Sequence, residues 1–173
     1  MFFKPHGVVL FVLSAVLVII GAVFLSAHIK SNRVLEIRDI NSGQLYGSRP
    51  LEKNEFAIEF VHSVNQSPVR EFFTVEGRTI RPEKVRFSSF GAGMQSDLQE
   101  GQTLTRDGDA LVISGFNTSF KELNYIVGTV SDHLLFINDE SLSLRDLCGR
   151  NAHVRIRVKG EIRWPSKRNK TTY

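Results

Sequence analysis

Two runs of residues, 56–64 and 69–75, restrict most strongly what this chain can fold into. In each run large apolar side chains recur at every second position, which is the period of a β-strand with one buried face. The turn-forming residues 65–68 lie between the two runs. The pattern therefore predicts a β-hairpin with its apolar face toward a core.

One polar residue interrupts the apolar face of each run. His62 follows the even-numbered apolar residues of the first run, and Glu71 lies among the odd-numbered ones of the second. A four-residue loop over residues 65–68 predicts that Val64 pairs with Val69, and that His62 then lies opposite Glu71, both pointing inward. Burying either charge alone is costly, so such a pair serves either to set the strand register or to bind a ligand or proton. Both interpretations stay open.

Short strand patterns separated by turn residues continue to the end of the chain, and no long helical periodicity competes with them. The last pattern is regular: Val154, Ile156 and Val158 predict a buried face, and the basic residues between them predict a solvated one. Pro82 predicts an edge position or a β-bulge, and residues 144–147 predict a helical turn that ends at Gly149. The predicted fold is all-β, an antiparallel β-sandwich or partly open barrel of about nine or ten short strands.

Residues 7–27 carry no charge and would form a helix about 30 Å long, enough to cross the hydrocarbon core of a membrane. Leu25 is bulky at a position where signal-peptide cleavage favours a small residue, so an uncleaved anchor is favoured. The predicted organisation is a short tail (1–6), a transmembrane anchor in the lipid bilayer (7–29), a linker (30–33), an all-β domain (34–160) and a basic tail (161–173).

The predicted location is the bacterial inner membrane, crossed once, with the β-domain in the periplasm. The basic residues that follow the anchor would by themselves favour a cytoplasmic location for the domain, but long domains are translocated largely regardless of charge. Cys148 is the single cysteine and forms no internal disulfide, so it does not identify the compartment.

The net charge of +4 and the pI near 9.4 do not predict a nucleic-acid partner. The basic residues are spread along the strands without aromatic stacking residues beside them, and a membrane segment adjoins the domain. The basic cluster at 167–170 is either a solvated chain end or a contact with anionic lipid headgroups.

No catalytic, metal or cofactor site is predicted. On a strand, Ser63 points to the face opposite His62, which argues against a nucleophile and base pair. The adjacent residues 131–133 offer a serine, an aspartate and a histidine, but neighbours in a turn seldom assemble a triad. The five histidines show no paired ligand spacing. Gly91 and Gly93 lack the pattern of a phosphate loop and are assigned a structural role in a loop.

Three short segments carry a family resemblance: residues 62–64, 68–71 and 89–93, which read His-Ser-Val, Pro-Val-Arg-Glu and Ser-Phe-Gly-Ala-Gly. They resemble the signature of the bacterial domain-of-unknown-function family eighteen-fifty, over about residues 34–158. His62, Glu71, Gly91 and Gly93 match its pattern, and no catalytic residues are established for it. The resemblance implies an accessory role in the envelope beside tripartite ATP-independent periplasmic (TRAP) permeases of the TAXI type.

Three functions follow as expectations. The first is a non-enzymatic periplasmic accessory domain of a TRAP-TAXI permease. The second is a small envelope enzyme that uses His62 as a base and Glu71 as its orienter. The third is a binder of small anionic ligands that combines His62 with Arg70 or Arg86.

Overall fold

The computed structural model describes residues 33–64, 66–88 and 97–160. The predicted anchor, the basic tail, Gly91 and Gly93 lie outside these ranges. Within them the chain forms eleven strands and one short helix: β1 (Val34–Asp39), β2 (Leu45–Pro50), β3 (Glu55–Val61), β4 (Pro68–Glu76), β5 (Thr79–Phe87), β6 (Thr103–Asp107), β7 (Ala110–Ser114), β8 (Glu122–Ile126), β9 (His133–Ile137), β10 (Glu140–Ser143), α1 (Leu144–Cys148) and β11 (His153–Lys159).

The strands form two antiparallel sheets. The first has four strands in the order β2-β1-β11-β8, and the second has seven in the order β10-β9-β3-β4-β5-β7-β6. The predicted all-β class is confirmed, with one or two strands more than expected. Neither sheet closes into a barrel, and one hydrophobic core contains side chains from both sheets, so the arrangement is a sandwich. Among the described residues no helix is long and apolar enough to cross a membrane.

β11 lies in the middle of the four-stranded sheet, and its alternating apolar and basic residues give it one buried and one outward face. Val154, Ile156 and Val158 are buried against the other sheet, as predicted. Arg155 and Arg157 point outward, where they form ion pairs with carboxylates of neighbouring strands at 3.1 Å each. Removing the apolar face from water is the main stabilising contribution, while the ion pairs on the outside contribute little.

Two local predictions are confirmed, the irregularity at Pro82 and the helical turn that ends at Gly149. Pro82 lies at a β-bulge, because it pairs with Phe73 while Lys84 pairs with Phe72, which leaves one extra residue on β5. The hairpin between β9 and β10 turns at residues 138–139, both at positive φ. α1 ends at Gly149, whose φ of 91° favours a residue without a Cβ.

The hairpin of β3 and β4 forms, but its predicted register is wrong. Phe60 lies opposite Val69, and Ile58 lies opposite Glu71. His62 instead donates its backbone N–H to the carbonyl of Ser67 at 2.9 Å. The chain therefore reverses between His62 and Ser67 rather than between Val64 and Val69, and β3 is displaced by four residues from its predicted position against β4.

A displacement of four residues changes every cross-strand partner but leaves each side chain on its face, because the faces alternate with a period of two. Val69, Phe73 and Val75 are buried on the inward face of β4, as predicted. Glu71 shares that face. The prediction that this carboxyl group points into the sandwich is confirmed, although its predicted partner is not.

Candidate functional site

The buried carboxyl group of Glu71 is bonded across the sandwich. Glu71 lies on β4 of the seven-stranded sheet, and Tyr125 lies on β8 of the four-stranded sheet. The hydroxyl of Tyr125 donates a hydrogen bond of 2.6 Å to Oε2 of Glu71. This bond gives the carboxyl group a partner in an apolar layer, where an unsatisfied polar group would be costly.

Burial changes the ionisation of both groups. Desolvation raises the pKa of Glu71 above its usual value, and the hydrogen bond from Tyr125 opposes that rise. Burial, followed by the nearby carboxylate, raises the pKa of Tyr125 far above its usual range. The phenol therefore keeps its proton at every physiological pH and stays a fixed donor to Glu71.

The ring of His133 lies beside the pair formed by Glu71 and Tyr125. His133, at the start of β9, stacks on Phe60 with ring centroids 5.2 Å apart and meets the ring of Tyr125 at 5.8 Å. The backbone N–H of Gly128 donates to its Nδ1 at 3.3 Å, so that nitrogen is an acceptor and the ring is neutral. Burial lowers the pKa of His133, which also favours the neutral ring.

A cleft of about 500 Å³ opens next to Glu71 and Tyr125. It lies where β7 separates from β5: β7 pairs with residues 84–87 of β5, whereas Ile80 pairs with Phe120 through two backbone hydrogen bonds of 2.8 Å. The bulge at Pro82 occupies the gap between them. The cleft therefore connects the buried carboxyl group with the surface.

His62 does not reach this site. It follows the last residue of β3, its backbone pairs with Ser67, and its Nδ1 accepts a hydrogen bond of 3.3 Å from the N–H of Val64. Glu71 lies four residues beyond Ser67 along the second strand, roughly 13 Å away at the usual rise. The predicted pairing of His62 with Glu71 is therefore wrong. A role for either residue alone in ligand binding stays a prediction.

The two arginines predicted to help His62 bind an anion are already paired. Arg70 forms an ion pair of 2.7 Å with Glu59, and Arg86 lies 3.5 Å from Asp107. Both arginines lie on the outer face of the seven-stranded sheet, opposite the face that carries Glu71.

The apparent triad at residues 131–133 is not assembled. The hydroxyl of Ser131 donates to the carbonyl of Val61 at 3.1 Å. Asp132 accepts hydrogen bonds from Ser143 and from the backbone N–H of Arg145, and so supports the start of α1. Among the described residues, no three histidine, cysteine, aspartate or glutamate side chains are grouped to hold a metal ion.

The outer face of the seven-stranded sheet carries apolar side chains, although the alternating pattern of its strands predicts polar side chains on that face. Phe136, Ala57, Phe72 and Lys84 lie side by side on β9, β3, β4 and β5, and we call them the outer aromatic row. Ala57 is only 6% exposed although it points away from the core. The guanidinium of Arg70 lies 4.0 Å from the ring centroid of Phe136, and the ammonium of Lys84 lies 4.9 Å from that of Phe72.

A second cleft, of about 390 Å³, opens along the outer aromatic row. Its rim carries Lys53, which pairs with Asp139 at 2.7 Å, and the acidic residues Glu55 and Glu83. The signal that places Phe72 outside is its even position, because the inward residues of β4 are odd-numbered.

Fold and site together define a two-sheet antiparallel β-sandwich with a buried glutamate–tyrosine pair between its sheets. Residues 56–144, just over half of the chain, match the family described as "Domain of unknown function (DUF1850)". The chain belongs to this family, which confirms the resemblance, although the match is shorter than the predicted 34–158. It covers β3 to β10 except for Glu55, the first residue of β3, and so includes the rest of the seven-stranded sheet and β8. No curated protein and no solved structure matches the chain.

Proposed function

We propose that this protein is a non-enzymatic accessory domain of a TRAP-TAXI-type solute permease, anchored in the inner membrane through residues 7–29 and exposed in the periplasm. The observation that carries the proposal is the outer aromatic row. A sheet face that contacts only water normally carries polar side chains, whereas this face exposes the apolar surface of half-buried phenylalanines. As a contact surface for another protein, the same residues have a function.

The composition of this face is that of a protein interface. Aromatic residues and arginine are enriched in interfaces and contribute most of the binding energy, whereas lysine and acidic residues lie mostly at the rim. Here Phe72, Phe136 and Arg70 lie together on a regular sheet. Charged residues of both signs lie around them, among them Lys53, Glu55 and Glu83, so a partner with an apolar centre and a polar rim would fit.

The hairpin register supports binding rather than catalysis. A base and the group that orients it must lie within about 3 Å of each other, and the predicted pair lies far beyond that reach. The carboxyl group of Glu71 already accepts a hydrogen bond from a tyrosine that keeps its proton. The enzyme alternative built on His62 and Glu71 therefore has less support than a binding function.

Glutamate substitutions at Phe72 and Phe136 are expected to reduce the amount of permease that co-purifies with the tagged full-length protein from its own membrane. We expect a reduction of at least about tenfold for each, because the substitution removes an aromatic anchor of the contact and replaces it with a carboxylate beside Arg70 or Lys84. The matched control is Val130→Glu, at a residue that is 91% exposed before β9.

The accessory role would be wrong if the wild-type protein retained no permease. The assignment of the outer face would be wrong if the Phe72 and Phe136 variants unfolded at the wild-type midpoint and still retained the permease fully.

The periplasmic orientation predicts that a cysteine introduced by Lys170→Cys, in a chain that also carries Cys148→Ser, reacts with a membrane-impermeant thiol reagent on intact cells. Cys148 is replaced so that the reagent has one target, although burial already raises the pKa of its thiol to about 11 and lowers its reactivity. Labelling that occurs only after lysis would place the domain on the other side of the membrane.

A further inference from the structure

We propose that the cleft beside Glu71 binds a small molecule with an apolar body and one protonated amine, and that the ammonium donates a hydrogen bond to Oε1 of Glu71. The inference concerns the interior cleft and does not depend on the permease contact proposed above. Four features of the described residues support it: an open acceptor atom, apolar walls, the signs of the nearby charges and a path to the surface.

The open acceptor is one oxygen of the buried carboxyl group. Tyr125 occupies Oε2 of Glu71. Oε1 accepts no hydrogen bond from the described residues, and it is not one of their fully buried polar atoms without a partner. Because Glu71 lines the cleft, this oxygen is the acceptor that a ligand there could use. Tyr125 holds the carboxyl group in one orientation, so the acceptor is positioned before a ligand arrives.

The walls of the cleft are mostly apolar. They consist of the side chains of Phe73, Pro82, Val85, Phe116 and Phe120. A volume of about 500 Å³ lies within the range of small-molecule sites, which combine apolar walls with a few placed polar groups. An apolar body such as a phenyl ring would cover these walls, while one polar group reached the carboxyl.

The charges around the cleft select a cation. Its charged residues are Glu71, Glu122 and Lys84. Glu122 pairs with Arg155 at 3.1 Å, and the ammonium of Lys84 lies over the ring of Phe72. Within the described ranges, Glu71 is therefore the carboxyl group of the cleft that has no cationic partner. An ammonium would give it a charge-assisted hydrogen bond, whereas an organic anion would bring a second carboxylate against it.

The cleft is open to a ligand from outside. Thr118 and Phe120 lie at its surface end, and both are exposed. The separation of β7 from β5 makes this opening. A ligand can therefore enter without breaking a pairing between the two sheets.

The test uses the full-length protein in detergent and three probes of similar shape: 2-phenylethylamine, 2-phenylethanol and 3-phenylpropionate. Isothermal titration calorimetry is expected to show the amine binding at least about tenfold more tightly than the alcohol, with the carboxylate weakest of the three. In Glu71→Gln, which keeps an acceptor for Tyr125 but removes the charge, the preference for the amine is expected to fall below about twofold. Glu140→Gln, at an exposed position on β10, is expected to keep the wild-type preference.

A second variant keeps the proposal testable if Glu71→Gln does not fold. Thr118→Trp places a large side chain at the mouth of the cleft and leaves Glu71 unchanged. It is therefore expected to lower the affinity for the amine at least about tenfold. The proposal is overturned if the wild type binds amine and alcohol equally, or prefers the carboxylate. It is also overturned if the dissociation constant of the wild type for 2-phenylethylamine exceeds about 10 mM. A folded Glu71→Gln or Thr118→Trp variant that keeps the wild-type affinity for the amine would overturn it as well.

Discussion

Ile156→Ala is expected to lower the free energy of unfolding by about 2–5 kcal/mol, the largest effect we expect from a single substitution in the described domain. Ile156 is completely buried at the centre of β11. It lies directly across from Ile37 of β1 and Leu123 of β8. Truncation removes apolar contacts with both strands and with the opposite sheet, and it leaves a cavity that the packed neighbours fill only in part.

The measurement is chemical unfolding of the full-length protein, followed by circular dichroism. The matched control is Arg157→Ala, on the next residue of the same strand. Its side chain points outward and forms a partly buried ion pair with Glu36, which keeps Arg38 as a second partner, so its removal is expected to cost about 1 kcal/mol, less than the truncation of Ile156. Equal losses for the two variants would show that β11 does not contribute one buried and one solvated face to the sandwich.

Glu71→Ala is expected to lower the free energy of unfolding by about 1–3 kcal/mol, because Tyr125 would lose its acceptor between the sheets. Tyr125→Phe is expected to destabilise in the same direction, because it leaves the carboxyl group without its donor. In a double-mutant cycle the two losses should not add, since each variant removes the same bond. An unchanged unfolding midpoint in Glu71→Ala would show that the carboxyl group is not engaged inside the sandwich.

The stability of the protein should also depend on pH through Glu71. Its pKa is raised in the folded state, so the folded protein binds this proton more tightly than the unfolded chain. The stabilisation is complete below the unfolded pKa and is lost as the pH rises through the folded pKa. Glu71→Gln cannot titrate, so its stability relative to the wild type should increase as the pH rises above about 4, the pKa of an unperturbed glutamate, until the folded-state pKa of Glu71 has been passed.

His133 contributes a pH dependence of the opposite sign. Its lowered pKa means that stability is lost as the pH falls through the folded value, because the buried ring must then take up a proton. The difference between the wild type and Glu71→Gln isolates the contribution of the carboxyl group, since both proteins contain His133. A difference that stayed constant across the pH range would contradict the raised pKa of Glu71.

Much of the strand order along the chain was predictable because the controlling signals are local. Alternation placed Val154, Ile156 and Val158 inside, and a proline marked the bulge on β5. The family segment was also predictable from short motifs, and residues 56–144 do match it. Each of these signals lies within a few residues of the structure that it indicates.

The candidate site was only half predictable. The odd position of Glu71 among Val69, Phe73 and Val75 identified it as an inward carboxyl group. Its partner was assigned to His62 on an assumed loop position, whereas the structure supplies Tyr125, with His133 beside it. The alternation of β8 does not identify which group Tyr125 meets, because that group belongs to the opposite sheet.

The sequence by itself determined the all-β class, the approximate strands and the face on which most side chains lie, because all three follow from a period of two along the chain. Tertiary structure decided the register of the β3–β4 hairpin, since a displacement of four residues leaves that period unchanged. It also decided that Glu71 meets Tyr125, because these residues come together only when the two sheets pack. The inward glutamate is therefore a property of the sequence, and the glutamate–tyrosine pair beside an open cleft is a property of the fold.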